Sequence, residues 1–321
     1  PRFFAGHHET AHTRMMSSSG GLFSAFAENF FSKGGTVYGA AYDFDRMAVH
    51  HSRASDLEAL APMRKSKYVK SDTTMVFEMI KQDLRSGMPV LFTGTPCQVA
   101  GLHLTLKGRE ENLFTIDLIC HGVPSPGLFA AHFSWLEQKC QSPITNIDFR
   151  TKDKGWGSFL NFYLKVTTQD RARLTYAPLD VYYALFLANL SLRPVCYQCK
   201  FASQKRVADI TLGDYWGVQK DHPDLFDGKG TSLILANTQK GEDLLLELQQ
   251  SLTLRPLTAV DPLPPNLVRP TPKPILRDGF LKSIQSDRWA NQRVWKHILA
   301  LSVLAINKFL QGFKKIFNLN S

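Results

Sequence analysis

Short apolar runs alternate with segments of helical spacing between Gly35 and Cys140, and this alternation constrains the fold more than any other feature. The runs with the length of buried strands are GTVYGAAYD, PVLFTG and NLFTIDLIC. The segments with apolar residues on one helical face are TTMVFEMIKQDLRSG, QVAGLHLTLKG and PGLFAAHFSWLEQKC. Strands that alternate with helices are typical of an α/β fold. We therefore expect a mixed, partly parallel sheet with helices on both faces.

The pattern changes after Ile144. The runs ITNIDFR, FLNFYLKVTT and RLTYAP are typical of strands joined by turns, which predicts a more antiparallel second lobe. Further strands are predicted at ADITLGDYWG and TSLILANT, and the proline-rich DPLPPNLVRPTPKP favours an irregular strap. We expect four parts: an α/β region (1–143), an α+β region (144–260), a proline-rich strap (261–290) and a basic amphipathic helix (291–321).

Most of the positive charge lies in the last part of the chain. From Pro264 onward, ten Lys or Arg residues stand against two Asp residues and supply +8 of the net charge of +10. The rest of the chain is close to neutral, so we expect no nucleic-acid partner. The tail segment VWKHILALSVLAINKFLQGFKKIF combines apolar residues with lysines, which suits a helix on an anionic membrane surface. Packing of this helix on the protein's own body or on a partner subunit is the alternative.

Cysteine usage indicates the cellular compartment. Five cysteines in 321 residues are too few for a disulfide framework, and the odd number leaves a free thiol. We expect a cytoplasmic protein, with the tail helix as a route to peripheral contact with the inner membrane face. The sequence shows no signal peptide at its start and no uninterrupted apolar run of about eighteen residues, so we expect no spanning helix.

Four of the cysteines follow a pattern that suits a metal or cluster site. Cys97 and Cys120 each follow a predicted strand, and ligands gather outside the carboxyl ends of parallel strands. Cys196 and Cys199 form a C-x-x-C pair in a predicted loop. Thiolates in this arrangement suit an iron–sulfur cluster or a metal ion. Cys140, at the end of a predicted helix, is interpreted as a small apolar side chain.

Spacing alone leaves other interpretations of these thiols open. A C-x-x-C pair can form a redox disulfide, although the helical context of thioredoxin-like motifs is missing here. A structural zinc is also compatible, because His121 adjoins Cys120 and zinc accepts mixed Cys and His ligands.

The segment RMMSSSGGLFSAFAENFF is a second candidate for a binding site. Its glycines permit close backbone approach, and the free N–H groups at the start of the following helix favour a phosphate. An ordinary serine N-cap is the alternative. The segment is neither a P-loop nor a G-x-G-x-x-G motif, so those nucleotide folds are not indicated.

Seven segments together resemble the coenzyme F420 hydrogenase/dehydrogenase beta subunit family, both in their residues and in their order along the chain. They are SSSGGLFSA, GGTVYGAAYD, SKYVKS, LFTGTPCQVAGL, DLICHGVPSP, FRTKDKGW and CYQCKFASQKRVADITLGDYWG. The resemblance runs from about Arg14 to about Thr238. GTPCQ together with C-x-x-C followed by ADI-x-x-GD-x-W is its most specific part.

The resemblance implies an iron–sulfur flavoprotein oxidoreductase. Such a protein holds FAD and a 4Fe-4S cluster and passes electrons between an iron–sulfur donor and a flavin or deazaflavin substrate. The cluster cysteines of the family match Cys97, Cys120, Cys196 and Cys199. The segment expected near FAD matches Ser18, Ser19, Gly20 and Gly21, with Lys67 and Asp214 as further candidates. By the same resemblance, residues 1–143 would bind the flavin and residues 144–260 would complete the cluster.

Two departures from the family limit what the resemblance implies. Many relatives carry ferredoxin-type cysteine runs ahead of this region, and this sequence has none. We therefore expect either a separate ferredoxin-like or other iron–sulfur protein as the electron partner, or an upstream segment that supplies those cysteines. The motifs SSSGG and CHGVPSP are similar to those of bacterial relatives found in polysaccharide-type gene settings. Coenzyme F420 need therefore not be the substrate. The alternative function is a zinc- or cluster-stabilised binding protein without redox chemistry, and no catalytic side chain is assigned.

Overall fold

A computed structural model describes residues 1–107, 111–258, 260 and 263–285. The strands are β1 (Arg2–His8), β2 (Thr36–Asp43), β3 (Ala48–Ala54), β4 (Val90–Gly94), β5 (Leu113–Leu118), β6 (Ile144–Asp148), β7 (Tyr163–Thr168), β8 (Ala172–Tyr176), β9 (Ile210–Asp214), β10 (Ser232–Ala236) and β11 (Leu252–Leu257). The α-helices are α1 (Ala11–Met15), α2 (Leu22–Ser32), α3 (Leu57–Leu60), α4 (Val76–Arg85), α5 (Pro96–Leu106), α6 (Pro126–Cys140), α7 (Val181–Leu187), α8 (Val218–Asp221), α9 (Gln239–Glu247) and α10 (Arg277–Gln285). The helix predicted for 291–321 lies outside the described residues.

Eight of the described strands form one mixed sheet in the order β11-β1-β10-β9-β5-β4-β2-β3. Its centre is parallel, because β2 pairs with β4, β4 with β5, and β5 with β9 in the same direction. The remaining pairs on either side are antiparallel. The predicted mixed, partly parallel sheet is therefore confirmed.

Helices cover both faces of this sheet, as predicted. Successive side chains of a strand point to opposite faces, so β4 contributes to two separate cores. Leu91 belongs to the apolar cluster that holds Phe26 of α2, whereas Phe92 belongs to the cluster that holds Ile80 of α4 and Leu102 of α5. Burial of these large side chains supplies the main favourable free energy of the fold.

The second lobe is a three-stranded antiparallel sheet in the order β6-β7-β8, which confirms the predicted change of pattern after Ile144. Helices α6 and α7 pack against it through an aromatic cluster. Phe133 of α6 meets Phe149 edge to face, and Phe129 of α6 meets Tyr182 of α7 in the same way. These rings are almost fully buried, which ties the lobe together.

Strands β9, β10 and β11 do not extend the second lobe. They join the eight-stranded sheet, where β1 lies between β10 and β11 with Phe4 opposite Ile234. Residues from both sides of position 143 therefore share one sheet. No helix in the described residues is long and apolar enough to cross a membrane.

Candidate functional site

A cavity of about 880 Å³ opens beyond the carboxyl ends of β4, β5 and β9. In an open α/β sheet this is the place where ligands bind. Its walls come from five parts of the chain: the Ser-Gly segment before α2, the loop before α4, the ends of β4 and β5, the segment after β9, and the proline-rich strap. The predicted site residues that line it are Ser18, Ser19, Gly21, Lys67, Cys120 and Asp214.

The Ser-Gly segment is held to its surroundings by side chains. Ser18 Oγ accepts hydrogen bonds from the backbone N–H of Ser66 at 2.9 Å and from its hydroxyl at 3.1 Å. Ser19 Oγ donates to the carbonyl of Thr231 at 3.0 Å. Neither serine side chain caps α2, which begins after Gly21 in the left-handed conformation with φ of 87°. The serine N-cap considered from the sequence is therefore wrong.

Gly20 faces the sheet and does not line the cavity. Its N–H donates to Ser232 Oγ at 3.0 Å, so it is already satisfied within the protein. A Cβ at this position would lie 2.6 Å from the carbonyl oxygen of Gly6. Close packing of the segment on β1 and β10 is thus the structural reason for a glycine here.

Lys152 supports the Ser-Gly segment from behind. Its buried ammonium donates to the carbonyls of Arg14 at 2.5 Å, Ser19 at 2.7 Å and Lys229 at 2.6 Å. Burial lowers the pKa of Lys152 to about 7. Trp156, four residues on, donates from Nε1 to the carbonyl of Ser18 at 3.1 Å. The motif FRTKDKGW contains both residues, but nothing in its local sequence indicates this role.

Lys67 lies in the loop before α4 and lines the cavity. Its ammonium donates to the carbonyls of Pro62 at 2.8 Å and Arg64 at 2.5 Å. Burial lowers the pKa of Lys67 to about 7, although the nearby Asp148 carboxylate favours the charged form. Asp148 itself pairs with Lys65 at 2.5 Å. Lys67 can therefore present either a cation or a neutral amine to a ligand near neutral pH.

Asp214, at the end of β9, forms an ion pair with the buried Arg150 at 2.8 Å. Burial opposes the charge on Arg150, but Asp214 outweighs it and raises the pKa of the guanidinium. Arg150 also lies over the rings of Phe162 and Trp216, with its guanidinium carbon 4.6 Å and 5.0 Å from the ring centroids. Sequence reasoning did not identify Arg150. The pair fixes the Arg150 guanidinium at the cavity wall beside the Asp214 carboxylate.

The cysteines occupy the positions along the chain that the sequence predicted for them. Cys97 is the second residue of α5, and its exposed thiol lies 3.1 Å from Thr95 Oγ1. Thr95 and Gln98 form a capping box that starts this helix. Cys120 follows β5 by two residues. The C-x-x-C pair spans the end of a short 3₁₀ turn at Pro194–Gln198.

The pKa of Cys120 is raised to about 12, chiefly by burial. A backbone hydrogen bond from Gly122 lowers this pKa, whereas Cys97, Cys196 and Cys199 each raise it, so those three thiols lie within electrostatic range of Cys120. The turn at Gly122 passes close to Cys196, since a Cβ on Gly122 would lie 3.2 Å from that of Cys196. In the described residues, no three His, Cys, Asp or Glu side chains stand close enough together to hold a metal ion.

Cys140 lies apart from this group. It ends α6 and lines a small cleft in the second lobe, away from the large cavity.

A buried ion pair fastens the C-x-x-C loop to the sheet. Arg206 Nη2 lies 2.9 Å from Asp117 Oδ1, with side chains 1% and 0% exposed. Arg206 also donates to the carbonyls of Phe201 at 2.8 Å and Leu118 at 3.0 Å. The loop that follows Cys199 is thereby joined to the strand that precedes Cys120. The sequence offered no signal for this pair, because its members lie far apart along the chain.

The strap closes one side of the cavity, a role that the sequence did not predict. Thr271 Oγ1 donates to the carbonyl of His121 at 2.6 Å, next to Cys120. His121 Nε2 lies 2.6 Å from Asn189 Oδ1, and burial lowers the pKa of His121. Further along, Arg277 donates to Tyr197 Oη at 2.9 Å. The strap is thus attached both to the Cys120 turn and to the C-x-x-C loop.

The family model for the C-terminal part of the coenzyme F420 hydrogenase/dehydrogenase beta subunit matches residues 87–260. A similar solved structure is a chain of the F420-reducing NiFe hydrogenase complex from Methanosarcina barkeri, derivatised with xenon. It is 16% identical, with a TM-score of 0.55 over 82% of this chain and 84% of that chain, which shows a shared fold. No curated protein matches the chain.

Proposed function

This chain belongs to the coenzyme F420 hydrogenase/dehydrogenase beta subunit family, and from that premise we propose that it is an iron–sulfur flavoprotein oxidoreductase. It would pass electrons between an iron–sulfur donor and a flavin or deazaflavin substrate, with FAD and a 4Fe-4S cluster as its cofactors. The observation that carries the proposal is the position of Cys120. This thiol lines the large cavity and lies within electrostatic range of three further thiols.

In residue type the donor set suits an iron–sulfur cluster, although the described side chains are not drawn together to metal-binding distance. Such clusters are held by four Cys thiolates, and hydrogen bonds to the sulfurs tune their potential. Here the backbone N–H of Gly122 donates to Cys120 and that of Val123 donates to Cys196. Both donors come from the one turn between β5 and α6. We propose Cys97, Cys120, Cys196 and Cys199 as the ligands.

The large cavity fits a flavin. Its volume of about 880 Å³ lies in the range of cofactor pockets, and its lining combines apolar side chains with a few polar groups. We propose that the Ser-Gly segment, Ser17 to Gly21, meets the pyrophosphate, and that Lys67 and Arg150 supply positive charge. Lys152 and Trp156 would act as positioning residues, since they hold the carbonyls of this segment without lining the cavity.

When bound, a flavin exchanges hydrides and single electrons, and a cluster exchanges single electrons. The residues of this chain would hold the two groups at neighbouring walls of one cavity. The strap covers the turn that carries Cys120 and limits access of water and oxidants there. The exposed thiol of Cys97 marks the side on which an iron–sulfur protein partner would dock.

The first experiment is a visible absorbance spectrum of protein purified without oxygen, together with iron, zinc and FAD analysis. We expect broad absorbance, iron and FAD. Cys196→Ser should lower the iron content, whereas Cys140→Ser, far from the other thiols, should leave it unchanged. A colourless protein that contains zinc, or unchanged iron in Cys196→Ser, would contradict the proposal and favour the zinc-stabilised binding protein.

The flavin assignment has its own test. Lys67→Met removes a cation from the cavity wall and should lower the FAD content. The control is Lys33→Met, because Lys33 is half-exposed and pairs with Glu247 on the surface. Equal FAD in both variants would argue against Lys67 as a flavin contact. A cytoplasmic location and contact of the tail (291–321) with anionic membrane stay predictions from the sequence.

A further inference from the structure

A second cleft, of about 160 Å³, lies in the antiparallel lobe between β7, β8, α6 and α7. It shares no lining residue with the large cavity. The proposal that follows is therefore independent of the flavin and the cluster.

The floor of this cleft is a buried His–Asp pair. His132 is 3% exposed, and its Nε2 donates to Asp180 Oδ2 at 3.0 Å. The other carboxylate oxygen of Asp180 accepts the backbone N–H of Tyr183 at 2.9 Å, where it caps α7. His132 Nδ1 is buried and has no hydrogen-bond partner among the described residues. Most buried polar side-chain atoms in native proteins have a hydrogen-bond partner, so an unpartnered one needs an explanation.

The rim of the cleft is basic. Lys139, Arg171 and Arg173 all line it, against the single carboxylate of Asp180. In the described part of the chain, none of these three cationic side chains makes a hydrogen bond or an ion pair. Lys139 lies over the ring of Trp135 at 5.0 Å, which holds its ammonium beside the opening. Burial raises the pKa of the Asp180 carboxyl, but His132, the N–H of Tyr183 and the more distant charge of Arg173 together lower it.

The register of β8 decides on which face of the small sheet Arg173 lies. Arg173 stands opposite Val166, and Thr175 stands opposite Leu164, on the side of β7 whose residues are buried. Arg173 therefore lies on the same face of this edge strand as the buried residues of β7, while its own side chain is exposed. A charge on an edge strand also discourages pairing with a second chain, which is the competing explanation for this arginine.

We propose that this cleft binds a small ligand through a phosphate group. Arginine guanidinium groups recognise phosphate oxygens with paired hydrogen bonds, and a lysine adds a third positive charge. While Nε2 stays on Asp180, the unpartnered Nδ1 at the floor would accept a hydrogen bond from a P–OH group of the bound phosphate. The exposed ring of Trp135 and the exposed Leu179 offer apolar contact to the rest of such a ligand.

The test is a calorimetric titration of the full-length protein with inorganic phosphate, with acetate as the carboxylate probe and sodium chloride at matched ionic strength. We expect saturable binding of phosphate and none of acetate. Arg173→Gln and Arg171→Gln should each weaken phosphate binding roughly tenfold, since each removes charged hydrogen bonds. The matched control is Arg46→Gln, because Arg46 is 85% exposed on the turn between β2 and β3 and should not matter.

A spectroscopic measurement separates binding in the cleft from surface attraction. The ¹⁵N resonance of His132 Nδ1 should shift on addition of phosphate in the native protein and not in Arg173→Gln. Absence of phosphate binding, equal binding in Arg173→Gln and Arg46→Gln, or equal affinity for acetate would each overturn the assignment. If Arg173→Gln binds phosphate normally but self-associates, its role is protection of the edge strand. Iron and FAD content should be the same in all these variants, which keeps this test distinct from that of the main site.

Discussion

Two of the Arg–Asp pairs among the described residues differ strongly in burial, and they allow a test of what holds the C-x-x-C loop in place. Arg206 and Asp117 are 1% and 0% exposed, whereas Arg255 and Asp224 are 41% and 56% exposed. Both pairs have short contacts, 2.9 Å and 2.5 Å. The perturbation is the same in each: Arg206→Met and Arg255→Met.

The expected magnitudes follow from solvation. Without Arg206, the Asp117 carboxylate keeps only the hydroxyl of Thr211, and its Oδ2 has no hydrogen-bond partner among the described residues. Removing one partner of a buried ion pair costs about 3–5 kcal/mol of the free energy of unfolding. Arg255 and Asp224 stay hydrated with or without their contact, so Arg255→Met should cost little. Arg206→Met should therefore be clearly the less stable of the two variants.

The pH dependence gives a second readout of the same reasoning. Burial already raises the pKa of Asp117, and loss of Arg206 would raise it further. A carboxyl whose folded-state pKa lies above its unfolded-state value destabilises the fold as pH rises above the unfolded value. The deficit of Arg206→Met should thus be smaller at about pH 5 than at about pH 7.5.

The assay is urea unfolding of each variant at both pH values, with iron content measured in parallel. The double variant Arg206→Met with Asp117→Leu should recover much of the lost stability, because no buried charge is left unpaired. Equal and small losses of stability in Arg206→Met and Arg255→Met would refute the reasoning. We also expect Arg206→Met to lose iron more readily, since the loop after Cys199 is released from β5.

Two further predictions concern the Ser-Gly segment. Gly20→Ala should lower the free energy of unfolding by about 1–3 kcal/mol, because its Cβ would lie 2.6–3.0 Å from the backbone of Gly6 and from Ser232. Gly127→Ala in α6 has open space around it and should raise the free energy of unfolding by about 0.5–1 kcal/mol. Urea unfolding measures both variants, and equal effects would contradict the packing argument. The second prediction concerns Lys152, whose pKa is lowered to about 7 by burial. Above this pH the folded state has released a proton that the unfolded state still holds. The free energy of unfolding should therefore rise by roughly 2–3 kcal/mol between about pH 7 and about pH 9.5 through this group. The rise should shrink by that amount in Lys152→Met, and an identical pH profile in both proteins would show that the ammonium is not buried as described.

Local signals in the sequence were sufficient for much of the fold. Periodicity predicted the strands β4 and β5 and the helices α5 and α6, because each element shows its buried face in its own residues. The start of α5 follows from Thr95, Pro96 and Gln98 alone, which lie next to one another. The cysteine pattern likewise placed Cys97 and Cys120 after strands, and the parallel pairing of β4 with β5 brings those strand ends together.

Only the tertiary structure decided which distant segments meet. Lys152 supports Ser19 across 133 positions, and Arg206 pairs with Asp117 between different elements. The same holds for β1, which lies between β10 and β11, and for the strap that reaches His121 through Thr271. The physical reason is that hydrophobic period and capping depend on neighbours along the chain, whereas burial of a charge depends on the partner that folding supplies. A lysine or arginine carries no local mark of whether three carbonyls or bulk water will surround its charge.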